Sequence, residues 1–84
     1  MAGIIDTRII RNDIVRIICA NGFSISCGYG KGHYCDSNSF EVAIFDAREN
    51  FATRRLVGEH AIDDVIAHVP AAQLVEIVGA VASW

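Results

Sequence analysis

The chain has 84 residues, 52% of them hydrophobic, with a mean hydropathy of +0.35 and a formal net charge of −3. That length makes one domain, 1–84, which buries only roughly 60–65% of the surface its unfolded chain exposes. So high an apolar content implies strands covered on both faces, or apolar surface hidden in an oligomer or complex.

Several classes of function fall away at once. No run of about 18 apolar residues exists, which excludes a membrane-spanning helix. The start "MAGIIDTRIIRND" has Asp6 and Arg8 where a secretory signal needs an unbroken apolar core, so a cytosolic protein is expected. Three cysteines, an odd number in a reducing compartment, argue against a disulfide framework. All seven Lys and Arg lie in 1–55, while 56–84 hold Glu59, Asp63, Asp64 and Glu76 and no Lys or Arg. A binder that neutralises phosphates needs a basic stripe, so direct nucleic-acid binding is disfavoured.

In chain order, "IIDTRII" (4–10) alternates as an edge strand does, and "RND" turns the chain. "DIVRIICA-NG-FSISCGYG" is the strongest local signal, because Asn-Gly between β-branched runs favours a two-residue type I′ hairpin. That turn pairs Ala20 with Phe23, Ile18 with Ile25, Arg16 with Cys27 and Ile14 with Tyr29. It sets Ile18, Phe23 and Ile25 on the core face and puts Cys19 and Cys27 on opposite faces. Residues 28–39 read as a loop, and "FEVAIFD" (40–46) as a strand with Phe40, Val42 and Ile44 on one side.

"FATRRLVG" (51–58) is expected to return as an antiparallel strand. Ile62, Val65, Ile66 and Val69 then recur at helical spacing, which predicts a short helix over 60–68 closed by Pro70. A last helix, roughly 70–82, carries Leu74, Ile77, Val78 and Val81 along a stripe that covers the sheet. Together these give an α+β domain: a four- or five-stranded antiparallel sheet with a C-terminal helix and a short preceding helix packed on one face.

Chemistry concentrates in "CGYGKGHYC" (27–35). Its glycines fail the phosphate-loop spacing and lead into a strand rather than a helix, and no βαβ unit supports a dinucleotide fingerprint. Cys27, His33 and Cys35, with Asp36 as a fourth ligand, form a candidate metal site, although seven intervening residues replace the usual tight knuckle. Cys35 beside His33 is a candidate nucleophile and base, in a chain with little room for a substrate cleft. His60, Asp64 and His68 stack at i, i+4 and i+8 if 60–68 is helical, as a ligand stripe or a solvated face.

The remaining reading is recognition. Tyr29, Lys31, His33, Tyr34 and Asp36 give a glycine-rich loop aromatic and polar contact chemistry. A second contact or homodimer face is offered by Ala72, Gln73, Glu76, Gly79 and Ala80 on the far side of the last helix, with Trp84 beyond it. No cofactor and no catalytic residue is expected.

The order "FEVAIFD", "FATRRLVG", "DDVIAHVPAAQLVEIV" over residues 39–80 resembles small orphan proteins of phages and prophages, anti-CRISPR inhibitors among them. The resemblance is one of style and element order. It implies a non-enzymatic protein that binds a Cas protein or surveillance complex and blocks target recognition or nuclease recruitment. The alternatives are a small metal-binding protein using Cys27, His33 and Cys35, a generic phage interaction module, and a weak cysteine-dependent enzyme.

Overall fold

A computed structural model describes residues 3–30, 38–58 and 64–84. The elements run β1 (Ile4–Arg11), β2 (Ile14–Cys19), β3 (Ser24–Gly28), β4 (Ser39–Phe45), α1 (Thr53–Val57), β5 (Ile66–Pro70) and α2 (Ala71–Ala82). The five strands form one antiparallel sheet in the order β1-β2-β3-β4-β5, so each strand lies beside its neighbours in sequence. With one helix at the C-terminus and a short one before the last strand, the protein is an α+β domain.

The β2–β3 hairpin forms where Asn-Gly marks it, but with a three-residue loop. The Gly22 N–H donates to the Cys19 carbonyl (3.1 Å) and the Cys19 N–H to the Phe23 carbonyl (2.9 Å). Gly22 has φ +93° while Asn21 is not among the residues at positive φ. A type I turn followed by one left-handed residue gives this geometry, whereas a type I′ turn requires both central residues left-handed.

The register therefore slips by one from the expected pairing. Ile17 faces Ile25, Arg16 faces Ser26, Val15 faces Cys27, and Ile18 faces Ser24. A slip of one turns every β2 side chain to the other side of the sheet. Ile17 and Cys19 join Phe23, Ile25 and Cys27 in the core, and Ile18 leaves it for the serine side. Cys19 and Cys27 thus share a face, both buried and unbonded. A Cβ at position 22 would also meet the Ala47 Cβ at 3.1 Å. Gly22→Val is expected to cost about 1–2 kcal/mol, from positive φ and this crowding, read as a lower melting temperature.

The second expected strand is a helix instead. Ala52, Thr53 and Leu56 turn inward while Arg54 and Arg55 stay exposed, a pattern of i, i+1 and i+4 that a helix allows and an alternating strand does not. Thr53–Val57 coil and end at Gly58, whose N–H reaches the Arg54 carbonyl. Only Phe51 keeps a strand-like bridge, to Phe45.

The expected 60–68 helix falls partly outside the described residues; the part that is described is strand. Val42 faces Ile66 and Phe40 faces Val69, so β5 advances three residues while β4 advances two. The extra residue makes a bulge beside His68, which has φ +53°. Ile66 and Val69 both reach the core this way, at a spacing of three that otherwise belongs to a helix.

α2 matches its expectation. Ile77 and Val81 are buried, Leu74 and Val78 pack beside them, and the helix lies over β3, β4 and β5. The core between helix and sheet is Ile25, Val42, Ile44 and Val69 against Ile77 and Val81.

Candidate functional site

The cover that α2 provides stops short of the first two strands. Every residue of β1 is exposed. On the face that carries the core, Ile9 pairs with Val15, Val15 with Cys27, and Tyr29 stands two residues beyond Cys27. Ile9 is 80% exposed, Tyr29 45% and Val15 39%. The Tyr29 N–H donates to the Asp13 carbonyl at 2.9 Å, continuing the ladder past the end of β3. Its ring leans on Phe40 with centroids 5.7 Å apart, which holds the aromatic body in place with one side open. Three successive strands thereby present an apolar patch on a rigid sheet. Such a patch suits a protein partner, since aromatic anchors held by a scaffold lose little entropy on binding.

Of the loop residues expected to make contact, Tyr29 borders this patch. Lys31, His33, Tyr34 and Asp36 lie outside the described residues, as do Cys35 and His60. Cys27, the first candidate metal ligand, is packed into the core between Val15 and Val42. Burial pushes its thiol up to about 11 and also raises Cys19, so neither is poised as a thiolate near neutral pH. Among the described residues no group of three His, Cys, Asp or Glu side chains is placed to hold a metal ion. Asp64 and His68 both have positive φ and do not stack on a helix, and Asp64 pairs with Arg54 at 3.1 Å.

The far side of α2 faces a groove rather than open solvent alone. Gln73, Glu76 and Ala80 line it together with Leu56 and Val57 of α1 and Ile77, around a volume of about 270 Å³. Ala72 and Gly79 are exposed, and so is Val75, at 72%. Trp84 belongs to the fold itself: its ring meets Phe23 edge-on at 5.0 Å, and the Arg55 guanidinium lies 4.8 Å from its centre. A half-buried ring held by a T-shaped contact and a cation is a packing element that joins α1, the hairpin and the end of α2.

No family model, curated protein or solved structure matches the chain. Function has to be argued from surface chemistry.

The opposite face of the sheet mixes charged and aromatic side chains that contact one another. Arg16 lies 4.3 Å over the Phe45 ring and pairs with Glu49 at 2.7 Å, while Phe51 packs on Phe45 at 4.8 Å. Arg8 sits directly across from Arg16, and Asp6 accepts from the Arg8 Nε at 2.9 Å. That hydrogen bond holds the Asp6 carboxyl below its ordinary range. The sequence pattern had marked 4–10 as an edge strand without marking it as a contact surface. The signal for it is four isoleucines on an edge strand, which α2, lying over β3–β5, does not cover.

Among the described residues no helix is long and apolar enough to cross a membrane.

Proposed function

We propose that the chain is a non-enzymatic inhibitor that works by protein–protein contact in the cytosol of a host cell. At its most specific it is an anti-CRISPR protein that binds a Cas protein or surveillance complex and blocks target recognition or nuclease recruitment. The observation that carries the binding reading is the open patch of Ile9, Val15 and Tyr29 on the sheet. The two buried thiols support it from the other side, because they leave the described residues without an activated cysteine nucleophile. The narrower label draws on the resemblance of residues 39–80 to small phage proteins.

The test is protection of a phage in bacteria whose CRISPR–Cas systems target it, across a panel of system types. Expression of the chain is expected to restore plaquing against one type. Val15→Ser combined with Tyr29→Ala should weaken partner affinity at least about tenfold, or roughly 1.4 kcal/mol, and plaquing should fall with it. Both positions are exposed, so the melting temperature should move by the equivalent of less than about 1 kcal/mol. Protection by the double variant equal to wild type would remove the patch from the mechanism. A folded chain that protects against no system would end the anti-CRISPR reading.

A further inference from the structure

We infer that the outer edge of β1 is a self-recognition surface, joining two copies of the chain into one continuous antiparallel sheet. β1 is the edge strand of the sheet, and its eight residues are exposed throughout. An unpaired edge of that length offers a row of N–H and C=O groups to another strand, and proteins usually blunt it with a lysine, a proline or a cover. β1, "IIDTRIIR", has no lysine or proline; its protections are the charges of Asp6, Arg8 and Arg11 and two register shifts, and these leave Asp6–Ile9 as a regular stretch at the edge.

Its side chains instead complement their own reverse. Around Thr7 the sequence reads Ile-Ile-Asp on one side and Arg-Ile-Ile on the other. A second copy paired antiparallel about Thr7 sets Asp6 opposite Arg8 of the partner subunit, and Arg8 opposite Asp6 of the partner subunit. Ile5 and Ile9 of the partner subunit flank this centre, while Ile4 and Ile10 lie beyond the register shifts at its two ends. Cross-strand pairs of opposite charge and of β-branched residues are the ones that stabilise antiparallel ladders. Ile4, Ile5, Ile9 and Ile10 are all more than half exposed in the single chain, at 53%, 68%, 80% and 52%, and they put apolar surface at both ends of the charged centre.

The same charges fix the register. Sliding the pairing one step that keeps the faces matched sets Asp6 against Asp6 of the partner subunit. Sliding it the other way sets Arg8 against Arg8 of the partner subunit. Both are repulsive, so the arrangement about Thr7 is selected against its neighbours. β1 carries register shifts between Ile4 and Asp6 and between Ile9 and Arg11, which leaves Asp6–Ile9 as its regular stretch. The three central pairs fall inside it. A two-fold axis through Thr7 also makes the contact isologous, so it closes at a dimer.

This interface adjoins the partner patch proposed above, sharing Ile9 with it but not Val15 or Tyr29, and it does not use the far side of α2. The test is a charge swap read by sedimentation or light scattering at micromolar concentration. Wild type is expected at twice the 9.1 kDa chain mass. Asp6→Arg alone and Arg8→Asp alone each place like charges opposite one another, twice per dimer, and should weaken association at least about tenfold. The double variant Asp6→Arg with Arg8→Asp restores opposite charges in the same register and should dimerise again. Tyr29→Ala should leave the dimer intact. Circular dichroism checks that each variant is folded, which the exposure of both positions favours. A monomeric wild type, single variants that dimerise as well as wild type, or a double variant that stays monomeric would each overturn the proposal.

Discussion

Ile44→Ala is expected to lower stability by about 3 kcal/mol, a fall of roughly 10–25 °C in melting temperature for a domain of this size. Ile44 is wholly buried and lies directly across from Ile25, itself wholly buried, at the centre of the core beneath α2. Removing three carbons there leaves a cavity whose walls are pinned by backbone on several sides. Its N–H donates to the buried Thr53 Oγ1 at 2.9 Å, and its carbonyl accepts from the Ala52 N–H at 2.7 Å. Those two bonds clamp the start of α1 onto β4, so the site has little freedom to collapse. Chemical denaturation with an unchanged m-value would check the figure. Ile18→Ala is the matched control, since Ile18 faces Ser24 on the other side and is only partly buried. It should cost less than half as much. An equal loss at both positions would mean that the hairpin register described here is wrong.

That register was within reach of the sequence, and the turn motif obscured it. In "IVRIIC" the odd positions, Val15, Ile17 and Cys19, are all apolar, while the even ones include Arg16. In "FSISC" the apolar residues are again odd: Phe23, Ile25 and Cys27. Matching apolar to apolar gives the observed pairing of Ile17 with Ile25 and Val15 with Cys27. Asn-Gly is compatible with either loop length, because in both the glycine takes the positive φ. Five buried or half-buried side chains, with Val15 at their margin, outweigh one dipeptide.

The two misread segments share a different cause. Three-residue spacing of apolar groups is ambiguous when a strand carries an extra residue. Ile66 and Val69 fit a helix by period, yet the β-branched run Val65-Ile66 and the free outer edge of β4 favour a strand. In 51–58 the reverse holds: the adjacent charges of Arg54 and Arg55 break strand alternation, and Arg54, Arg55 and Leu56 are good helix formers. Long, regular signals such as α2 and β4 were legible. Irregular ones were settled by the partner strand, which no local window contains.

The open patch was only half legible. Tyr29 stands out by composition, whereas the expected register turns Val15 away from the core face and Ile9 reads only as part of an edge strand. Their exposure follows from α2 lying over the β3–β5 half of the sheet. Placed over β3–β5, a helix about 10–12 Å across does not reach β1 and β2 of a sheet about 19 Å wide.

Asn21→Ala is expected to cost about 2 kcal/mol, although the residue sits in a surface turn where substitutions are usually mild. Its Nδ2 donates to the Val81 carbonyl at 2.8 Å and to the Trp84 carbonyl at 3.1 Å, and its Oδ1 accepts from the Phe23 N–H at 3.1 Å. Two of these bonds reach carbonyls in the last turn of α2 and just beyond it, and the Val81 carbonyl also accepts from the Trp84 N–H at 3.2 Å. The third holds the hairpin closed. A single amide therefore ties the turn to the helix that covers the core, and Phe23 and Trp84 pack around the same junction. Each bond is worth about 0.5–1.5 kcal/mol net, so losing all three outweighs an ordinary turn residue.

Asn21→Asp gives the sharper outcome. Its carboxylate keeps the acceptor for Phe23 but turns a second oxygen towards two carbonyls, at the negative end of a helix. That surrounding raises the folded-state pKa above the unfolded value of about 3.9, so the folded state binds the extra proton. The loss relative to wild type is full at neutral pH, where it exceeds that of Asn21→Ala. It shrinks as pH falls through the raised pKa, because a protonated carboxyl regains a donor. Melting curves of wild type and variant at pH 7 and pH 4 should converge as the pH drops. Parallel curves at both would mean that the side chain at position 21 does not reach the end of α2.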